Sequence, residues 1–393
     1  MRFFHDLSLS AFTAGFIAVL VGFTSSVVIV FQAAQAFGAS PEMMSSWIWA
    51  LGLGMGLCSA IPSLVLRKPV MVAWSTPGAA VLATAGSAGG FSMAEAVGAF
   101  LVCGALITVF GMTGWFERLM NRIPMAIASA LLAGVLARFG LQVFTAAESG
   151  PLLVLLMFGG YLLARRLAPR YAVVWTLVVG VLVAGLQDKM AWSSVTLELA
   201  VPVLTLPVFS WAAVINLALP LFVVTMASQN LPGVVAIRAA GYEMPVSRLV
   251  AVTGVAMLLL APFGAFALCL SAITASICMG RDAHQDPGKR YTAAVSCGGL
   301  YILLGIFGAT VTGLLSAFPK ALVVAIAGLA LLGTIGNGLH DALKGDANRE
   351  AALITFLVTL SGVTMAGIGS ALWGVVAGTV AMAVQQAGTR KGR

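Results

Sequence analysis

Two adjacent amide side chains, Gln229 and Asn230, stand within an apolar run in the stretch MASQNLPG. Burying an amide without a hydrogen-bond partner costs roughly 2–7 kcal/mol, so we expect at least one of the two to serve a binding site. Amides donate and accept hydrogen bonds but do not act as acids or bases. The chemistry that these residues indicate is therefore recognition of a polar solute.

A second set of polar residues interrupts the apolar stretch RKPVMVAWSTPGAAVLATAGSAGG, residues 67–90. A short β-like run is followed by Ser75, Thr76 and Pro77, which favour the start of a new helix over the continuation of an old one. Pro77 suits a first helical turn, and the hydroxyl of Ser75 or Thr76 can cap it. The alternative is a proline kink in one continuous helix.

The stretch FGAFALCLSAITASICMG, residues 263–280, has the same layout, with Ser271 or Thr274 available as the cap. A helix that begins in mid-membrane leaves backbone N–H groups and the positive end of its dipole inside the bilayer, where protein, water or a solute must satisfy them. Two half-helices that point their N-termini at each other are predicted to bind an anionic or strongly hydrogen-bonding solute.

The composition indicates a polytopic helical membrane protein that holds these elements in a bilayer. Of the 393 residues, 60% are hydrophobic and 9% are charged, with a mean hydropathy of +1.04, which is more apolar than a soluble domain. Strand-period alternation is absent, which argues against an outer-membrane barrel. The first apolar run lacks a small-residue cleavage site, so we expect a retained helix rather than a removed signal peptide.

The sequence offers no constellation for catalysis. It lacks a nucleophile–base pair, a metal-ligand spacing and a phosphate-binding loop, so we expect no enzyme, no metal and no cofactor. The five cysteines lie in apolar segments without a CxxC pair, and we interpret them as buried thiols. They are Cys58, Cys103, Cys269, Cys278 and Cys297.

The apolar runs predict an all-α protein with fourteen crossing or membrane-dipping segments. Their approximate bounds are 10–35, 44–63, 70–88, 93–116, 123–145, 151–166, 171–187, 210–232, 246–262, 264–280, 291–315, 319–339, 350–366 and 370–386. With the N-terminus in the cytoplasm, every basic residue other than Lys189, Lys320 and the intramembrane Arg138 falls on the cytoplasmic side. Both termini are then cytoplasmic, and the net charge of +8 is a topology signal rather than a nucleic-acid-binding surface.

Two pairs of similar stretches indicate an internal repeat. CGALITVFG begins at Cys103 and CGGLYILLG begins at Cys297, 194 residues later, and IPMAIASALLAGVLARFG from Ile123 resembles FPKALVVAIAGLALLGTIG from Phe318. Seven segments separate each pair, and because seven is odd the two repeats must cross the membrane in opposite directions. This predicts an inverted 7+7 repeat, residues 1–190 and 191–393, with segments three and ten each broken into a short strand and a half-helix.

VAWSTPGAA in segment three, MASQNLPG in segment eight and the fourteen-segment layout resemble the bacterial benzoate:proton symporter family over essentially the whole chain. That family is related in fold to nucleobase permeases and anion exchangers. The resemblance implies a core domain from segments 1–4 and 8–11 and a gate domain from segments 5–7 and 12–14. It also implies that benzoate or a similar aromatic carboxylate is imported with protons across the inner membrane.

The resemblance implies a substrate site between the two half-helices and segments one and eight. The residues at these positions are Thr24, Ser25, Ser26, Trp74, Ser75, Thr76, Ser228, Gln229, Asn230, Ser271 and Thr274. Trp74, with Phe23 or Phe266, is expected to cover the apolar face of an aromatic ring. Nucleobase permeases carry acidic residues on segments eight and ten, and their absence here favours an anionic ligand.

Two residues are candidates for proton coupling. Glu95 is the one acid predicted inside a segment, and Arg138 lies within segment five, where it is expected to pair with substrate or with Glu95. The alternative for Glu95 is an acid that stabilises the first turn of a helix, and the alternative for Arg138 is a structural ion-pair partner. A third possibility is that the substrate itself carries the proton, because desolvation raises the pKa of a carboxylic acid.

Other transport functions stay open at this stage. A uracil- or xanthine-type permease would need the missing acids, whereas an inorganic anion transporter would need neither aromatic selectivity nor a proton. The expected partners are a small aromatic carboxylate, a proton and the lipid bilayer, and not a nucleic acid. Assembly as a homodimer is left open by the sequence.

Overall fold

The computed structural model describes residues 2–24, 26–115, 125–168, 172–192, 196–281, 283–345, 348–363, 365 and 370–390. In the first half of the chain the elements are α1 (Arg2–Asp6), α2 (Leu9–Thr24), α3 (Val27–Ala36), α4 (Pro41–Leu66), β1 (Val72–Trp74), α5 (Thr76–Ser87), α6 (Met93–Met112), α7 (Met125–Ala146), α8 (Pro151–Leu167) and α9 (Ala172–Leu186).

In the second half, one long helix, α10 (211–239), combines helical pieces with two π turns, Val214–Ala218 and Met226–Asn230. It is followed by α11 (Val246–Leu260), β2 (Leu268–Leu270), α12 (Ile273–Cys278), α13 (Tyr291–Ile306), α14 (Gly308–Ser316), α15 (Lys320–Leu343), α16 (Arg349–Ser361) and α17 (Ser370–Arg390).

The chain is a mostly helical polytopic membrane protein. Within the described ranges, seven helices are long and apolar enough to cross a membrane, and eight if the bent pair Pro287–Ile306 and Gly308–Ser316 forms one span. The predicted count of fourteen segments is finer than these helix lengths establish. The shorter elements, among them β1 with α5 and β2 with α12, lie within the other predicted segments.

Three predicted segments differ in detail from the structure. The first, 10–35, is interrupted between α2 and α3, and the eleventh, 291–315, bends by 68° between α13 and α14. The second half-helix, α12, has only six residues, against twelve for α5. The helix dipole at the second break is therefore weaker than the sequence pattern suggests.

The two breaks meet in a two-stranded antiparallel sheet. Val72 pairs with Leu270 and Trp74 with Leu268, and the ladder continues where Ser75 N donates to Ala267 O over 2.8 Å. The strand-then-helix layout predicted for both stretches is thus present, and each half-helix starts from one end of the sheet.

Helix α4 satisfies the outer edge of β1. Ser59 Oγ accepts from Val72 N at 3.0 Å, and Ser63 Oγ accepts from Val70 N at 2.9 Å. The serines are four residues apart and therefore share one helix face. An unpaired strand edge inside a membrane is costly, and these buried hydroxyls remove most of that cost.

Glycines bring α4 close to α13. A Cβ added to Gly52 would lie 2.7 Å from Gly305 Cα, and one added to Gly56 would lie 2.6 Å from Gly298 O. Gly111, which occupies in the first repeated stretch the place of Gly305 in the second, packs equally tightly against Ala251 of α11. Small residues four apart allow such close helix contact in membranes.

Each π turn of α10 ends just before a proline. Pro232 has no N–H for the carbonyl of Ser228, and Pro220 has none for the carbonyl of Asn216. The missing i→i−4 bond is replaced by a wider turn, and Leu231 N donates to Met226 O five residues back. The widened turn rotates residues 228–230 relative to an unbroken helix.

Candidate functional site

A central cavity of about 960 Å³ lies beside the strand breaks, within the range of roughly 300–1,000 Å³ that is usual for small-molecule sites. It extends from the starts of both half-helices to the last turn of α15. The predicted site residues that line it are Ser26, Trp74, Thr76, Ser228, Gln229, Ser271 and Thr274.

The Trp74 indole is fixed in the cavity wall. Its Nε1–H donates to Ser26 Oγ over 2.8 Å, and Ser26 Oγ–H donates in turn to Gly22 O over 3.1 Å. The Phe23 ring packs on the indole with 5.3 Å between the centroids. Because Phe23 and Ser26 support the indole, Trp74 forms a rigid aromatic edge of the cavity.

The start of α5 is almost fully capped by its own residues. Ser75 Oγ accepts from Gly78 N at 3.0 Å and from Thr225 Oγ1 at 3.0 Å, so this predicted binding residue turns away from the cavity and stabilises the helix end. Pro77 has no N–H. In the first turn of α5, as far as the structure describes its neighbours, Thr76 keeps the one N–H without a partner.

The two adjacent amides have different surroundings. Asn230 is fully buried, and its Oδ1 accepts from Leu270 N at 2.9 Å on the edge of β2 that faces away from β1. Asn230 therefore satisfies the backbone and does not line the cavity. Gln229 is half-buried and lines the cavity beside Ser228.

Two hydroxyl oxygens in the cavity wall have no hydrogen-bond partner among the described residues. They are Ser228 Oγ, in the second π turn, and Thr274 Oγ1, in the first turn of α12. Thr274 N instead donates to Ser271 Oγ at 3.4 Å, which caps the half-helix. A buried hydroxyl without a partner costs about 1–3 kcal/mol, so both hydroxyls are candidates for contact with a ligand.

The cavity wall also contains polar residues that the sequence analysis missed. Tyr301 lies beside Thr274, since a Cβ added to Gly22 would contact Tyr301 Oη at 2.8 Å and Thr274 Cγ2 at 3.0 Å. Tyr301 occupies the place of Ile107 in the other repeated stretch, and this polar departure from the repeat was the available signal. Asn337 and Asp341 of α15 and Lys344, directly after this helix, line the far end of the cavity.

The remaining predicted residues lie elsewhere. Glu95 does not line the central cavity, and its carboxylate accepts from Ser210 Oγ at 2.8 Å and from Ser92 N at 3.0 Å as part of a capping box at the start of α6. Thr24 ends α2, and Ser25 lies outside the described residues. Phe266 is fully buried against Trp47 and Phe100 rather than in the cavity.

Arg138 lines a second cavity of about 900 Å³, which we call the Arg138 cavity. It adjoins α5 at residues 81–87 and α7 at residues 135–146, whereas the central cavity adjoins α5 at its first turn and α7 at residues 126–136. The two cavities therefore open toward opposite ends of these helices. Arg138 and Glu95 do not form an ion pair within the described structure.

The central cavity can bind a solute but shows no metal-binding group. Hydroxyls, one backbone N–H and the Gln229 amide supply donors, and the tryptophan edge supplies an apolar face. No group of three metal-ligating side chains occurs in the part of the chain that the structure covers. The five cysteines are buried free thiols, as predicted.

Comparison with known proteins identifies the family of the chain. The family model described as "Benzoate membrane transport protein" matches residues 5–384. The chain is 45% identical to the inner membrane protein YdcO of Escherichia coli, over 94% of each chain. It is 41% identical to the benzoate membrane transport protein of Acinetobacter baylyi, over 96% of this chain and 95% of that protein.

Two solved structures share the fold. The transmembrane domain of the cyanobacterial bicarbonate transporter BicA aligns with 94% of this chain and 97% of its own length, at a TM-score of 0.62 and 13% identity. SLC26A9 aligns with 94% of this chain and 65% of its own, at a TM-score of 0.56 and 15% identity. At these identities the likeness concerns the fold alone.

Proposed function

The chain belongs to the benzoate membrane transport protein family, and from that premise we propose that it is a secondary transporter importing benzoate or a similar aromatic carboxylate together with protons. The observation that carries the proposal is the pair of unpartnered hydroxyls, Ser228 Oγ and Thr274 Oγ1, in the wall of the central cavity. A carboxylate accepts hydrogen bonds from both, and such charge-assisted bonds are stronger than neutral ones.

The aromatic edge of the cavity favours a ring-bearing carboxylate. Trp74 cannot rotate without losing its 2.8 Å bond to Ser26, so it presents a fixed apolar surface beside the hydroxyls. A carboxylate held by Ser228 and Thr274 would place an attached ring against this surface. An inorganic anion would fill the hydroxyl site and leave the aromatic edge without a role.

Helix packing supports the proposed 7+7 inverted repeat. Helix α4 packs on α13, and α6 packs on α11. If each helix is replaced by its equivalent in the other repeat, the first contact becomes the second. Under the same replacement the contacts α7–α15 and β1–β2 are unchanged, because each joins equivalent elements of the two repeats. The contact α8–α9 becomes α16–α17. These contacts also fall mostly within the proposed core or within the proposed gate, which supports movement of one against the other.

Contacts between connections support the proposed sidedness. At one end, Tyr242 Oη donates to Pro287 O at 2.9 Å and Tyr291 Oη to Asp6 Oδ2 at 2.8 Å, joining connections predicted to be cytoplasmic. At the other end, the segment 196–210 forms hydrogen bonds with residues at the ends of helices; for example, Thr205 N donates to Pro262 O at 2.8 Å. We assign the central cavity, which reaches Lys344, to the cytoplasmic side, and the Arg138 cavity to the outer side.

The substrate itself is the proposed proton carrier. The residues around the unpartnered hydroxyls include no carboxylate and no histidine in the described lining, and Asp341 lies exposed at the far end of the cavity. The carboxylate of Glu95 is held by Ser92 and Ser210. Partial desolvation of the site favours protonation of a bound benzoate carboxylate, and hydrogen bonds from the hydroxyls act in the opposite direction.

Uptake of labelled benzoate into proteoliposomes under an inward proton gradient tests the proposal. We expect accumulation that a proton ionophore abolishes, with no competition from uracil or sulfate. Competition by uracil would support a nucleobase permease, and ionophore-insensitive uptake competed by sulfate would support an inorganic anion transporter. Either result would contradict the proposed function.

A further inference from the structure

The Arg138 cavity carries positive charge that the central cavity does not. Arg138 and Lys320 line it, and no Asp or Glu does so among the described lining residues. The central cavity has Lys344 together with Asp341. A cavity with low-dielectric walls and charge of one sign concentrates the opposite ion, so we expect the Arg138 cavity to concentrate anions.

Arg138 is held in place without a carboxylate partner. It is half-buried, and a Cβ added to Gly362 would lie 2.8 Å from Nη1 and 2.9 Å from Nη2. Within the described residues the guanidinium makes neither an ion pair nor a hydrogen bond. A partly buried guanidinium with free donors is suited to bidentate contact with a carboxylate.

Neutral polar groups surround the guanidinium. Gln32, Gln35 and Gln142 line the same cavity, and so does Thr359, whose buried Oγ1 has no hydrogen-bond partner in the described structure. Phe139 and Val135 add apolar surface. The wall therefore combines cations, amides and apolar surface, which together suit an aromatic carboxylate.

The two cavities are close but separate. On α15 the Arg138 cavity ends at Val324 and the central cavity begins at Leu331. Seven residues of helix span about 10 Å, and the intervening Ala325, Ile326 and Leu329 are buried. These buried side chains form the barrier that a solute in the Arg138 cavity must pass to reach the hydroxyls of the central cavity.

We propose that the Arg138 cavity is a capture site on the outer side, where Arg138 binds the substrate carboxylate before it passes to the central cavity and Lys320 adds positive charge to the same cavity. The inference rests on the proposed function, because it takes an aromatic carboxylate as the substrate. It assigns to Arg138 a role in substrate binding rather than in proton transfer. It also gives the transporter a higher affinity from the outer side than from the cytoplasmic side.

The test compares initial rates of benzoate uptake in intact cells and in inside-out membrane vesicles. The variants are Arg138→Gln, Arg138→Lys and Lys320→Gln. Lys189→Gln is the matched control, since it removes an exposed basic residue predicted on the same side but outside the cavity. Thermal unfolding of each purified variant reports on folding.

We expect Arg138→Gln to raise the KM in intact cells about tenfold, as loss of a charge-assisted bond predicts, and to leave the KM in inside-out vesicles unchanged. Arg138→Lys should recover part of the affinity, and Lys189→Gln should stay within about twofold of the wild type. The KM of the wild type should rise with salt more steeply than that of Arg138→Gln.

An unchanged KM for Arg138→Gln in intact cells would overturn the inference while leaving the proposed function in place. An equal change from both sides, together with a lower unfolding temperature, would assign Arg138 a structural role and would also overturn it. Absence of benzoate uptake by the wild type would instead overturn the proposed function, and with it this inference.

Discussion

Asn230 Oδ1 accepts a hydrogen bond of 2.9 Å from the backbone N–H of Leu270, and this contact joins α10 to the strand that precedes the second half-helix. The same region is packed closely, because a Cβ added to Gly233 would lie 2.7 Å from Leu270 Cβ. The position of the second break relative to α10 is therefore fixed by this hydrogen bond together with the close packing of Gly233.

Asn230→Ala is expected to lower stability. It leaves the N–H of Leu270 buried without a partner, which costs about 1–3 kcal/mol. The neighbouring Gln229→Ala is the matched control, because Gln229 lines the cavity and is expected to change transport rather than stability. Thermal unfolding of the purified variants in detergent measures the difference. Equal unfolding temperatures for the two variants would contradict the structural role of Asn230.

Ser228→Ala and Thr274→Val should separate binding from stability. Each removes a hydroxyl that has no partner in the described structure, so the unfolding temperature without substrate should stay constant or rise slightly. Loss of a hydrogen bond to a charged carboxylate costs about 1.5–3 kcal/mol, which corresponds to a KM raised roughly 10- to 100-fold.

Thr312→Val is the control for Thr274→Val. Thr312 is also buried, but its hydroxyl donates to Gly308 O at 2.8 Å, and it lines neither described cavity. We expect the KM of this variant to match that of the wild type. A wild-type KM for Ser228→Ala and Thr274→Val would remove the two hydroxyls from the proposed site.

Ser59→Ala in α4 should destabilise β1, the strand at the first break. Ser59 accepts from Val72 N and donates to Val72 O, so alanine leaves two buried backbone groups of β1 without their partner. We expect a loss of about 1–3 kcal/mol and a lower unfolding temperature. Ser59→Cys, which keeps a weak donor and acceptor of similar size, should lose less; an equal loss would argue that packing dominates.

Asp341→Asn tests whether the proton is carried by the substrate or by Asp341, the one carboxylate in the described lining of the central cavity. If the substrate carries the proton, this variant should still accumulate benzoate under an inward proton gradient, and the ionophore should still abolish the accumulation. Glu95→Gln should behave in the same way, because its partners Ser92 and Ser210 also bind an amide. If Asp341→Asn equilibrates benzoate without accumulating it, Asp341 carries the proton instead.

The breaks were predictable because their signals are local. A β-like run followed by Ser75, Thr76 and Pro77 predicts a strand, a cap and a helix start, and the structure has all three. Gly52 and Gly56 similarly indicate close helix packing, but that α13 is the partner is known only from the structure. The family resemblance is confirmed by the match over residues 5–384.

The orientation of individual polar side chains was not predictable, because it depends on distant partners. Gln229 and Asn230 look equivalent in the sequence, but the π turn before Pro232 directs one to the cavity and the other to Leu270 N. The sequence predicts a binding role for Ser75, but the hydroxyl of Thr225, 150 residues away, donates to the Ser75 hydroxyl. The break between α2 and α3 contains no proline that would have indicated it.

The most direct test of the central claim is benzoate uptake by the wild type and by Thr274→Val in the same proteoliposome preparation, under an inward proton gradient. We predict ionophore-sensitive accumulation by the wild type and a KM for Thr274→Val raised at least about tenfold, with an unfolding temperature no lower than that of the wild type. Equal KM values for the two proteins would contradict a carboxylate site at the half-helix breaks, and absence of wild-type uptake would contradict benzoate transport itself.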